Sequence, residues 1–186
     1  CARTEIVDSF AKNSLGNSPS FSRAPSFENA LVQSIGGGNT MVFNRAANNL
    51  IKNSLLGLDV IYHDWWVYLI ISGAGGYIFC DPEPCLKYRQ HDLNLTGSNH
   101  SWGARLKRIR KLLQGHFRKW CDINIEHLLK NKYLLTEHNH KVLDDFVKAR
   151  QSNLFKRLYF FKRSGIYRQT LIGNLGLILG IMLKKV

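Results

Sequence analysis

The sequence predicts an α/β fold followed by a mainly helical tail, and three observations carry that prediction. Over residues 1–103, short strand-like runs alternate with helical segments and with turns marked by glycine or proline. Beyond residue 103 the pattern changes to basic, amphipathic helix. Of the 186 residues 45% are hydrophobic, which supports a buried core and excludes global disorder. The composition boundary divides the chain into a first region, 1–103, and a tail, 104–186.

In order, residues 3–10 read as one strand and 12–26, rich in Asn, Ser, Gly and Pro, as an exposed loop. Ser26 caps a short helix over 27–32 that delivers the chain to Gly36-Gly37-Gly38-Asn39-Thr40. Met41 to Phe43 is a short extended piece. Asn44 then caps a helix from Arg45 to Leu56, which Gly57 ends. Asp64 to Ser72 is apolar nearly all round and reads as a buried helix, broken by Gly73 to Gly76. Tyr77 to Cys80 is a strand, Pro82 and Pro84 mark a turn, and Leu86 to Arg89 resumes as strand. The polar stretch 92–103 is a loop. Helices follow at 104–120, 123–132, 137–151 and 152–163. The apolar segment 171–183 has 13 residues, short of the roughly 20 a membrane-spanning helix needs.

Lys and Arg number 26 against 13 Asp and Glu, a formal net charge of +13. Such a chain attracts polyanions: nucleic acid, an anionic membrane surface or phosphorylated substrates. Nucleic acid is the weakest of these, because no recognition motif is present and the aromatics are not interleaved with basic residues. The basic amphipathic helix at 104–120 and the apolar tail fit an anionic membrane surface. The four cysteines are too few and irregular for a zinc site or disulfide framework, so they read as free thiols in a reducing cytoplasm. Nothing in the sequence reads as a signal peptide, and a chain that begins at Cys1 reads as a fragment with further sequence upstream.

Chemistry concentrates between Gly36 and His91. Three successive glycines let the backbone approach a ligand closely and adopt φ > 0, with exposed N–H groups for a phosphate or sugar hydroxyl. Neither a P-loop nor a dinucleotide fingerprint is present, and a plain turn is the bland alternative. Asp64 sits at a helix N-terminus, where the dipole favours its carboxylate; as a simple N-cap it would do the same. Trp65 and Trp66 can pack on sugar C–H groups or fill the core. Arg89 can grip phosphate in bidentate fashion, and His91 is a potential metal ligand.

Taken together, Gly37-Gly38-Asn39-Thr40-Met41-Val42-Phe43-Asn44-Arg45, His63-Asp64-Trp65-Trp66 and Tyr88-Arg89-Gln90-His91 resemble the C-terminal half of family 2 glycosyltransferases, rhamnosyltransferase-like members of bacterial surface-polysaccharide synthesis among them. The resemblance covers residues 1–100. The tail, with Arg163-Ser164-Gly165-Ile166-Tyr167-Arg168-Gln169-Thr170 and Gly173-Asn174-Leu175-Gly176, resembles these enzymes more loosely. It implies the C-terminal, acceptor-side portion of a GT-A Rossmann-like fold and an inverting sugar transfer. The donor would be a nucleotide-diphospho-sugar and the acceptor a saccharide or polyprenyl-linked sugar. It implies Asp64 as catalytic base, Gly36, Gly37, Gly38, Asn39, Thr40, His63, Trp65, Trp66, Arg89 and Gln90 around donor and acceptor, and His91 as a ligand of Mg²⁺ or Mn²⁺. The family's Asp-x-Asp-type metal motif and its nucleotide-binding half belong upstream of Cys1. Two positions depart from the pattern: His63 stands where many relatives carry Glu, and Asp92 follows His91 where Gly is expected. The implied location is cytoplasmic, peripheral on the inner face of the plasma membrane. The competing classes are a basic nucleic-acid-binding module and a non-catalytic remnant.

Overall fold

A small sheet anchors the front of the chain, with strand order β2-β1-β3. β1 (Ala2–Val7) lies in the middle, antiparallel to β2 (Ser14–Asn17) and parallel to β3 (Asp81–Arg89). The computed structural model describes residues 1–54, 59–90 and 114–186. It is mixed α/β, with this one three-stranded sheet and many helices among the described residues.

Two strands correct the sequence reading. β2 lies inside the stretch expected to be loop. It is exposed along its whole length, so it carries no apolar alternation by which it could be recognised. What folds it back is Asp8, whose carboxylate accepts the backbone N–H groups of Phe10, Lys12 and Asn13. Those hydrogen bonds, Lys12's foremost, hold the Asp8 carboxyl below its ordinary pKa. The second correction concerns 77–90. Residues 77–80 are irregular, and the strand instead runs through Pro82 and Pro84. Proline cannot donate to a ladder, but β3 is an edge strand, and its register against β1 shifts between Ala2 and Thr4, opposite those prolines.

Seven α-helices occur among the described residues. α1 (Phe27–Ala30) begins at Ser26, whose hydroxyl accepts the Asn29 N–H as expected. α2 (Arg45–Ser54) begins at Asn44, whose side chain accepts from Ala47; the expected end at Leu56 and Gly57 lies outside the described residues. α3 (His63–Gly73) is buried from Trp65 to Gly73. α4 (His116–Lys130) runs unbroken through 120–123, where two separate helices were expected. Phe117, Cys121, Ile125 and Leu128 keep one helical spacing across that point and all pack into the core. α5 (Glu137–Gln151) and α6 (Leu154–Ser164) match the expected helices, and α7 (Leu171–Met182) forms over the apolar segment 171–183, to which the sequence reading gave no secondary structure. The remainder of the helix expected at 104–120 and the loop at 92–103 lie outside the described residues.

One hydrophobic core joins the two sides of the composition boundary. Phe27, Trp66, Leu69 and Ile70 from the front pack with Leu128, Leu143, Phe146, Leu177 and Ile181 from the tail. α3 is its central rod. At the C-terminal end of that rod, the Asn139 side-chain amide donates to the carbonyls of Ser72 and Gly73, and the Thr136 N–H donates to Gly73. The terminal carbonyls of a buried helix are thereby satisfied.

Candidate functional site at the N-terminus of the buried helix

α3 has Tyr62 as its N-cap, with no side-chain capping bond, so Asp64 is not the cap but the second helical residue. Its Oδ1 accepts the N–H of Trp65 at 2.8 Å. Asp64 is half-buried, and among the described residues Oδ2 has no hydrogen-bond partner. The result is a carboxylate in the first turn of a helix, one oxygen fixed and the other open, with the helix dipole favouring its charge.

The two tryptophans expected to border an acceptor are packing groups. Trp66 is fully buried, its indole N–H donating to Ser54 Oγ at 3.1 Å. Trp65 is 5% exposed and donates to the Ala30 carbonyl at 2.7 Å. Neither ring offers a face to a sugar. They lock α3 to α1 and α2, and so hold Asp64 in place.

The glycine loop comes to the same end of α3. Gly38–Thr40 is a single 3₁₀ turn, in which Thr40 Oγ1 donates to the Gly37 carbonyl at 2.9 Å. None of Gly36, Gly37 and Gly38 has a positive φ, so the conformational freedom expected of them is not used. What the loop uses is the missing side chain. A Cβ on Gly36 would lie 3.1 Å from both Cβ and Sγ of Cys1. A Cβ on Gly38 would overlap the His63 ring at Nε2. Backbone and imidazole therefore meet beside Asp64.

Arg89 and Gln90 are set apart from this pair. Arg89 pairs with Val7 at the carboxyl end of β1, and the Gln90 N–H donates to the Val7 carbonyl at 2.8 Å. Gly36 packs against Cys1, at the other end of the same strand. At a rise of about 3.3 Å per residue the two ends are roughly 17 Å apart. The expected third station thus lies at the carboxyl edge of the parallel β1–β3 pair. His91 is outside the described residues.

Beside the glycine loop lies a cavity of about 340 Å³, bordered by Cys1, Ile35, Gly36, Phe43, Val67 and Phe79 among others. Among the described residues its lining is mainly apolar and includes no cationic side chain, so these residues do not make a diphosphate site.

A further set of residues supports the site. Tyr167, Arg168 and Gln169 form a strap over the segment that leads into the glycine loop. Arg168 Nη1 donates to the Val32 carbonyl, the Gln169 N–H to Gln33 Oε1, and the Asn29 side-chain amide to the Tyr167 carbonyl. Ser26, Tyr68 and Tyr167 share hydroxyl contacts beneath it. Burial pushes the Tyr68 hydroxyl well above its ordinary pKa, so it is a neutral donor there, to Asn29 Oδ1. The sequence signal was the run Arg163 to Thr170, singled out above for its loose resemblance and given no role there.

Among the described residues no three His, Cys, Asp or Glu side chains converge to hold a metal ion; His91, the expected ligand of Mg²⁺ or Mn²⁺, lies outside them. Nor is any described helix long and apolar enough to cross a membrane.

A stretch of 70 residues is 31% identical to the dTDP-rhamnosyl transferase RfbG of Shigella flexneri. It makes up 38% of this chain and 24% of that protein, so the match spans about a quarter of the relative's length. No protein-family model matches the chain. No solved structure matches it. The partial match is thus a likeness to one part of a glycosyl transferase.

Proposed function

We propose that the chain carries the acceptor-side portion of a GT-A-type inverting glycosyltransferase, with Asp64 as its base. The observation that supports this most is the Asp64 carboxylate, held by the Trp65 N–H through one oxygen and open at the other, beside a His63 ring seated on the glycine loop. Oδ2 accepts the proton of an acceptor hydroxyl while that oxygen attacks the anomeric carbon of the donor sugar. The bond from that carbon to the diphosphate oxygen breaks, and the nucleoside diphosphate leaves from the opposite face. Gly36 to Thr40 and His63 shape the place where the two sugars meet. Arg89 and Gln90, at the other end of β1, meet a more remote part of an extended ligand.

The name of the partial relative makes a dTDP-linked rhamnose the first donor to try, with a saccharide or polyprenyl-linked sugar as acceptor. Asp64→Asn in the complete natural polypeptide keeps the bond to the Trp65 N–H and removes the base. Transfer should fall by about 10²- to 10⁴-fold with donor binding largely kept. Near-normal turnover by the variant rules Asp64 out.

A further inference from the structure

The last helix is apolar on both of its faces. One face of α7, with Leu177, Gly180 and Ile181, is buried in the core. The opposite face presents Leu171, Ile172, Leu175, Ile178, Leu179 and Met182 to solvent, Leu171 and Ile172 at 78% and 80% exposure. No charged residue occurs from Thr170 to Leu183. A soluble surface rarely carries an apolar stripe this continuous unless something covers it.

The helix before it adds to the same character. α6 exposes Phe155 and Tyr159, with Lys156 and Lys162 between and beyond them. The two helices are fastened together at the end of α7. Arg157, only 3% exposed, donates to the carbonyls of Ile181 and Met182 and to that of Ser152. The apolar stripe is therefore held out on a fixed frame. Along the sequence this segment carries charge of one sign: after Asp145, which pairs with Arg163, no acidic residue follows to Val186, while nine Lys and Arg do.

We infer that α6 and α7 form a docking face for an anionic lipid bilayer, on which the protein lies without crossing it. A 12-residue helix rises about 18 Å, short of the roughly 30 Å hydrocarbon layer, so α7 lies in the interface plane. Its stripe enters the acyl boundary, Phe155 and Tyr159 sit at headgroup level, and Lys156, Lys162 and Lys184 meet anionic headgroups. Charge decides against a second copy of the chain, because joining two such faces would bring two cationic, acid-free tails together. The inference stands independently of the sugar-transfer reading.

The test is flotation of the chain with phosphatidylcholine vesicles, with and without phosphatidylglycerol, at low and high salt. Binding should favour the anionic vesicles and weaken with salt. The double variant Leu175→Gln/Leu179→Gln, whose side chains are exposed, should keep its helical circular dichroism and lose about tenfold or more of that binding. Lys184→Glu/Lys185→Glu should abolish the preference for anionic over neutral vesicles. Three results overturn the inference: no binding to either vesicle, unchanged binding of the glutamine variant, or a dimer of the natural chain that the glutamine substitutions dissolve.

Discussion

The imidazole of His63 occupies the space that a side chain at Gly38 would need. This fixes two positions far apart in sequence against each other, one in a loop and one in the first turn of α3. Gly38→Ala should push the ring aside. Because the displaced group is the end of an exposed side chain, the stability cost should be within about 1 kcal/mol. Sugar transfer should fall by about tenfold, since Asp64 follows His63 directly. In a double-mutant cycle with His63→Ala the two losses should not add, as expected of groups in contact. Additive losses would separate the loop from the helix.

The Trp66–Ser54 bond predicts an asymmetric pair of variants. Ser54→Ala leaves a fully buried indole N–H without its acceptor, at a cost of about 1–3 kcal/mol. Trp66→Ala empties a core site and should cost about 3–5 kcal/mol. Urea denaturation gives both numbers. A loss below about 1 kcal/mol for Trp66→Ala would show that this ring is not the packing group described.

His127 gives the fold a pH dependence. Its ring is 6% exposed, stands edge-on to Trp66 at 5.9 Å, and has an unpartnered Nδ1 among the described residues. Burial, and then the Lys130 charge, hold its pKa below the ordinary 6.5. The folded state therefore favours the neutral ring. Its contribution is fully present above pH 6.5 and is lost as pH falls below that value, where the unfolded chain takes up the proton first. Melting temperature should decline between about pH 6.5 and 5. His127→Phe, which keeps a ring against Trp66, should flatten that decline.

Cys1 Sγ and Cys80 Sγ stand 2.9 Å apart, a relation that irregular cysteine spacing did not indicate. Treatment with a diazene oxidant should join them, two thiol hydrogens passing to the oxidant. Peptide mapping should find that linkage before any other. Burial raises the Cys80 thiol pKa, so the reaction should quicken at alkaline pH. A first linkage through Cys85, which is exposed, would contradict the expected pairing.

Helices were legible where cap and face were both written locally. Ser26, Asn44 and the apolar run of α3 placed α1, α2 and α3 within a residue or two at their starts. β2 was not legible, because an exposed strand beside a polar turn has no alternation to read. Nor was the strand path through Pro82 and Pro84, which depends on β3 lying at the sheet edge. At the site, the sequence brought forward Gly38, His63 and Asp64, and the structure gathers the first two beside the third. It could not tell Trp65 and Trp66 as core from Trp65 and Trp66 as sugar platform, since both roles ask for the same residue type. Nor could it show that Arg89 belongs to the far end of β1, which is a matter of strand register.

The strap from Tyr167 to Gln169 has a consequence for how the chain is made. Arg168 reaches Val32 across 136 positions, and Gln169 reaches Gln33 across the same span. During synthesis the segment leading into the glycines must wait, unfastened, until Gln169 has left the ribosome. Nascent chains halted before Tyr167 should leave that segment open to protease, and the protection should arrive once Arg168 and Gln169 have emerged.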